Sequence, residues 1–418
     1  MPAKPLILSP NYLTVARGIR EMHRLIAAGE EDSSAAEALR DATDRPWQAL
    51  TEVERKRACE LSEDLYSITE GPPPARDMNS QAAARLSDAI EARQRGEWDR
   101  ALELLRRWGA YIAPALISYL RGSIWIEAGD PHTAALFYEH ASSLQPDNGN
   151  YLAIFLHTLN VVDPSAARQR AEDILREPDR FSAVAVVRAA DVVFKAARAL
   201  PEVDAAQLFR QLIPVLGGAL ARIEAGDESG IDRASYAMAA ALLGFSHEFL
   251  GETQPALDFY SRGLAAQPDN DGLLVARGIL LYGSSPRAIQ DLESAARQGS
   301  PVIWPYFFLS HHYLVNGDFN RCRILCERAM EMAGSGAVKS ELAEWLAISQ
   351  SELGFPVEMV RASFENSIHL DPSNERARRN LAAFETASRP VPVRVYETRS
   401  AVAVRVSGLA ERRYAMAA

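Results

Sequence analysis

Apolar residues return every three or four positions through most of this chain, and short runs rich in Gly, Pro, Asp and Asn interrupt them. That pattern predicts many short amphipathic helices joined by turns. Residues 1–19 are weakly patterned and read as an N-terminal tail. From Val15 to Ala28 the positions Ile19, Met22, Leu25 and Ile26 keep helical spacing, and Gly29 is placed to stop the helix. Asp44-Arg45-Pro46 marks a turn. Thr51 followed by Glu54 has the form of a capping box, in which each side chain satisfies a free backbone donor. The helix after it carries Ala58, Leu61 and Leu65 on one side. Residues 20–70 thus read as a small module of two or three helices, and its 13 acidic against 7 basic residues make it acidic. Gly71-Pro72-Pro73-Pro74 cannot continue a helix and favours an extended spacer, so 71–80 reads as a linker and domain boundary.

Beyond the linker the pattern becomes periodic. Gly96 precedes Ala101 by five residues, and the same offset separates Gly129 from Ala134, Gly251 from Ala256 and Gly317 from Cys322. Gly122 and Gly244 each lie 12 residues before the matching Ala134 and Ala256. Pro146, Pro268 and Pro372 follow Ala134, Ala256 and Val360 by 12. Two antiparallel helices that cross closely need small residues where they touch, a glycine at the turn and a proline to stop the second helix. One such pair cannot bury its own apolar face, so several must stack.

The segment Gly122, Trp125, Gly129, Ala134, Tyr138, Ala141, Pro146 resembles the tetratricopeptide repeat of about 34 residues. Gly244, His247, Gly251, Ala256, Tyr260, Gly263 and Pro268 match nearly as well. Gln81–Ala113 fits through Ala89, Gly96, Trp98 and Ala101, and Ile303–Gly334 through Tyr306, Tyr313, Gly317, Phe319, Cys322 and Ala329. Weaker units follow at 271–301, with a shortened turn, and at 340–373; 374–386 reads as a capping helix. Between 149 and 230 the helix pairs look longer than 34 residues, and Pro214 would kink one. The resemblance implies an all-α, right-handed α-α superhelix over 81–386, divergent at 149–230, preceded by the small helical module.

In proteins of that kind the first helix of each repeat lines a concave groove, and the facing positions are the second, fifth, ninth and twelfth. Here they map to Leu116, Tyr119, Ser123 and Ile126; to Met238, Ala241, Phe245 and Glu248; and to Trp304, Phe307, His311 and Leu314. The resemblance therefore offers Tyr119, Ser123, Met238, Phe245, Glu248, Trp304, Phe307 and His311 as partner-binding residues. The alternative is that they pack against neighbouring repeats. The Lys, Asn and Arg set with which some relatives grip a C-terminal carboxylate is not found.

The tail 387–418 changes character. Val391, Val393 and Val395 alternate, as do Val402, Val404 and Val406, and six Arg against two Glu make it basic. It reads as a disordered tail or as a short β-hairpin or pairing strand. Its charge is opposite to that of the front module, which would let the two attract and hold the protein in an autoinhibited form.

Composition narrows the function. A chain 48% hydrophobic and 24% charged is ordinary for a folded protein. The net charge of −10 argues against nucleic acid, whose phosphates call for a basic surplus. Three cysteines, Cys59, Cys322 and Cys326, give no disulfide framework and fit a reducing compartment. Neither a secretory apolar stretch nor a membrane span is read, so a cytoplasmic location is expected. Cys322 and Cys326 with His311-His312 could hold zinc, but they fall at inward-facing repeat positions and adjacent histidines diverge, so packing is the better reading and no metal is expected. Cys59 has no nearby base to make it a nucleophile. Trp98, Trp108, Trp125 and Trp345 read as core rather than ligand-facing. No phosphate loop, dinucleotide fingerprint, zinc-protease string or nucleophile elbow occurs. The expectation is a non-enzymatic scaffold or adaptor without cofactors that binds an unidentified protein or peptide. Its rivals are a regulatory subunit of a bacterial signalling or transcription system, and an enzyme with a site in 149–230. Partner, process and oligomeric state are not legible.

Overall fold

The computed structural model describes residues 9–69, 76–197, 200–226 and 233–386. All regular structure among them is helical, so the fold is all-α, and it divides into a unit ending at Val193 and a unit beginning at Phe194. None of these helices is long and apolar enough to cross a membrane. The tail 387–418, read as disordered or as a hairpin, lies outside the described residues.

The first unit opens with α1 (Pro10–Ala27), α2 (Ser34–Gln48) and α3 (Glu52–Thr69), in which α1 packs on both others. Helix α1 begins at Pro10, inside the stretch expected to be a tail. Ser9 accepts a hydrogen bond from the Tyr12 amide at 3.1 Å, and Pro10 pre-sets the first turn. Tyr12, Val15 and Ala16 are buried, so this segment belongs to the module. Gly29 ends the turn after α1 at φ 72°. The capping box forms as expected: Thr51 N–H donates to Glu54 Oε2 at 2.9 Å and Glu54 N–H to Thr51 Oγ1 at 3.3 Å.

Then come α4 (Ser80–Gln94), α5 (Trp98–Trp108), α6 (Pro114–Ala128), α7 (Pro131–Leu144), α8 (Gly149–Val162), α9 (Pro164–Arg176) and α10 (Ala183–Ala196). Each helix from α4 to α8 packs on the next. The repeat positions do what their spacing implies. Gly129 caps α6 at φ 97°, and a Cβ on Gly122 would stand 2.7 Å from the Tyr138 ring. Ala134 and Ala141 are fully buried.

The linker and boundary expected at 71–80 fall within the first unit, which ends at Val193. Residues 70–75 lie outside the described residues. A polar seam joins α3 to the repeats. Arg57 grips Asp99 through two bonds of 2.9 and 2.8 Å. Arg106 pairs with Glu60 at 3.2 Å and Asp64 at 3.3 Å, and Arg121 reaches Asp64 at 3.2 Å and Ser67 at 2.6 Å. Asp64 is fully buried, and burial pushes its carboxyl up to about 6 against the opposing pull of Arg121 and Arg106. Removing one partner of such a buried pair costs about 3–5 kcal/mol.

The second unit holds the last three residues of α10, then α11 (Glu202–Ala225), α12 (Arg233–Phe249), α13 (Thr253–Ala266), α14 (Asp271–Leu281), α15 (Arg287–Arg297), α16 (Trp304–Val315), α17 (Phe319–Met332), α18 (Gly336–Glu352), α19 (Val357–Leu370) and α20 (Glu375–Thr386). Consecutive helices from α11 to α20 pack on one another, and first helices also touch: α12 on α14, α14 on α16, α16 on α18. The expected lengthening of 149–230 is confined to its second half. Helix α8 begins at 149 and α10 at 183, an ordinary 34 residues apart, whereas α12 begins only at 233. The extra length is α11, 24 residues with Pro214 inside one continuous helix.

First and second helices differ in kind. In α14 every residue from Leu273 to Leu280 is buried, and in α16 every residue from Trp304 to His311. Helix α17 buries only Cys322, Cys326 and Ala329. A helix apolar all round is enclosed, while one with a single stripe covers a core from outside. At the far end Arg376 of α20 pairs with Glu344 at 2.7 Å and Glu341 at 3.0 Å, and Asn380 donates to Glu344 at 2.6 Å.

Candidate functional site

The groove positions fall into three different environments. On α6, Leu116, Tyr119 and Ile126 are half-buried and Ser123 is buried. Tyr119 lies between Tyr138 (ring centroids 5.8 Å) and Tyr151 of α8 (5.5 Å). Ser123 accepts the Tyr138 hydroxyl at 3.2 Å and donates to the Tyr119 carbonyl at 2.9 Å, so it spends its polarity inside the hairpin. Burial pushes the Tyr138 hydroxyl above its ordinary range.

On α12, Met238, Ala241, Phe245 and Glu248 are all half-buried along one stripe. Phe245 is the centre of a group of four rings. Phe194 stands at 4.9 Å edge-on, Phe209 of α11 at 6.0 Å and Phe249 at 6.3 Å. The edge-to-face geometry of Phe194 and Phe209 against Phe245 is a favoured arrangement of aromatic quadrupoles. Glu248 accepts the Tyr260 hydroxyl at 2.5 Å, which fixes its carboxylate beside the stripe. Tyr260 in turn fills the space left by Gly244, where a Cβ would come within 2.4 Å of its ring.

On α16 the expectation fails. Trp304, Phe307, His311 and Leu314 are 3, 2, 2 and 0% exposed, and so offer no surface. Trp345 of α18 packs on Phe307 at 4.9 Å and on His311 at 5.3 Å. From the other side Tyr282 meets His311 Nδ1 at 2.9 Å. Burial raises the Tyr282 hydroxyl above its ordinary range. Bulky side chains at the C-terminal cap of α14 and on α18 close over this face, so these residues form core.

The thiol and imidazole groups do not converge. Cys322 and Cys326 are buried with sulfurs 3.8 Å apart, His311 is turned to Tyr282, and His312 lies beside Asn316. Among the described residues no three His, Cys, Asp or Glu side chains are placed to hold a metal. Trp98, Trp125 and Trp345 are buried, and Trp108 is half-buried against Tyr111. Sequence reasoning missed Phe194, Phe209 and Phe249. The Phe245 and Phe249 spacing of four was visible, but Phe194 and Phe209 come from the aperiodic stretch.

No family model and no curated protein matches the chain. Among solved structures it is similar to a thermophilic TPR protein of Thermus thermophilus, at 18% identity over 45% of this chain and all of the other, with a TM-score of 0.28. A tetratricopeptide repeat protein of Parabacteroides merdae is 15% identical over 65% of this chain and all of that one, with a TM-score of 0.37. The C-terminal part of a TPR repeat-containing protein of Cytophaga hutchinsonii is 15% identical over 71% of this chain and 99% of its own length, with a TM-score of 0.31.

Proposed function

We propose that this chain is a protein-interaction scaffold that performs no chemistry itself and docks an apolar segment of a partner on the α12 face. The observation that carries this reading is the half-buried stripe of Met238, Ala241 and Phe245, backed by Phe194, Phe209 and Phe249 and flanked by Glu248. Aromatic groups that are held rigid yet still reach solvent lose little entropy when a partner covers them, which makes them good anchors. Tyr119 with Tyr151 supplies a smaller site of the same kind on α6 and α8. The stacked hairpins position these faces and need not move. Three cysteines with no disulfide between them suit a cytoplasmic setting.

The test is affinity capture with wild-type protein and with a Met238→Glu/Phe245→Glu variant, after circular dichroism and thermal melting show equal helicity and stability. A protein retained by wild type and lost from the variant supports the reading. Equal retention removes the α12 face from consideration.

A further inference from the structure

A second surface lies in the first unit, and none of the groove positions of α6 lines it. Helix α1 runs beside the α7–α8 hairpin and leaves a trough of about 890 Å³ between them. One wall is a stripe of α1: Leu13, Arg17, Arg20, Arg24 and Ala27, spaced four, three, four and three. From Leu13 to Ala27 the helical rise makes the trough about 21 Å long. The opposite wall is apolar, with Ala135 and Leu136 of α7 and Phe155, Leu159 and Val162 of α8. Arg20 is tied down by Asp130 at 2.8 Å, a carboxylate that also caps α7 through the Thr133 amide at 3.0 Å.

The remaining arginines are different. Arg17 is exposed and makes no ion pair among the described residues. Arg24 is exposed and held by Glu21 one turn away at 2.6 Å, a surface pair of small worth that a ligand can replace. The two guanidinium groups sit seven residues apart, about 10.5 Å along α1. Deeper in, His23 is only 7% exposed, bonds Ser62 through Nε2 at 3.1 Å, and leaves Nδ1 without a hydrogen-bond partner. A buried polar atom so placed costs free energy until something pairs with it.

We propose that this trough receives one face of an amphipathic helix from a partner protein. The trough lies open to solvent along one side, so a helix about 10 Å across enters it only in part. The helix therefore sinks by one face, as in other helix-in-groove complexes. Its apolar residues, at three- and four-residue spacing, meet Leu136, Phe155 and Leu159. Two carboxylates seven residues apart meet Arg17 and Arg24. Glu139 and Asp163 on the opposite rim call for basic residues on its other flank.

The experiment is a displayed library of 14-residue helix-forming peptides selected on the full-length protein, with counter-selection on the full-length Arg17→Glu/Arg24→Glu variant. Both arginines are exposed, so the variant keeps its fold, and equal melting temperatures check this. The expected winners carry apolar residues at i, i+3, i+4 and i+7 and an acidic pair seven apart. A synthetic winner binds wild type at least tenfold more tightly than the variant at physiological salt, and changing its acids to lysine restores binding to the variant. Hydrogen exchange of wild type with the winner then slows in α1 and α8, a readout that needs no substitution. No enrichment, winners lacking the acidic pair, or winners that survive counter-selection overturn the proposal. So does a protein that sediments as a dimer and is made monomeric by the variant, because a second copy then fills the trough.

Discussion

Helices α12 and α16 occupy the same place in their repeats and meet opposite fates. Met238, Ala241, Phe245 and Glu248 stay half-buried, while Trp304, Phe307, His311 and Leu314 at equivalent positions are sealed. The repeat register decides which way a side chain points within its hairpin. Whether that direction ends in solvent depends on what the neighbouring first helices carry. Around α16 these are Tyr282, at the C-terminal cap of α14, and Trp345, large enough to meet over the groove side. On the other side of α12 stands the long α11, outside the repeat period, which contributes Phe209 as a backing ring. A groove position is therefore a binding candidate only after its neighbours have been sized.

That contrast can be broken by substitution. The largest effect is expected for Phe307→Ala, which empties a sealed site and costs about 3–5 kcal/mol in urea denaturation. Phe245→Ala, with less to lose, costs roughly half as much; equal losses at both sites would contradict the contrast. Next is Gly244→Ala, whose Cβ enters the Tyr260 ring and costs about 1–3 kcal/mol by the same measurement. It also breaks the Tyr260–Glu248 bond, so the α12 face loosens, and hydrogen exchange of that helix reads it. Tyr282→Phe removes the hydroxyl that meets buried His311 Nδ1 and costs about 1–2 kcal/mol. Smallest is Glu248→Gln, which keeps an acceptor for Tyr260 and costs less than about 1 kcal/mol, while it weakens capture of any partner that presents a cation to the stripe.

What the sequence disclosed follows the range of the forces involved. The turns at Gly96, Gly129, Gly251 and Gly317 and the crossings at Gly122 and Gly244 were legible because each depends on a few nearby residues. The capping box at Thr51 and Glu54 was legible for the same reason. The seam through Asp64, Arg106 and Arg121 was not. Asp64 lies more than forty positions from either arginine, and all three carry charges that ordinarily belong on the surface. For that reason the ion pairs that bridge past the proline run were not foreseen. The sealing of α16 was hidden likewise, because Trp345 lies far downstream of the face it covers. The start of α1 needed only Ser9 and Pro10, a helix entry that the weak apolar pattern of residues 1–19 concealed.

The interhelical ion pairs have one further consequence. Arg20–Asp130, Arg57–Asp99, Arg121–Asp64 and Arg376–Glu344 all use guanidinium as the cation. The whole chain has only four lysines, Lys4, Lys56, Lys195 and Lys339. Guanidinium stays charged well into alkaline solution and is not a substrate for amine acylation. These four joints are therefore closed to lysine acetylation, and amine-reactive reagents leave them intact.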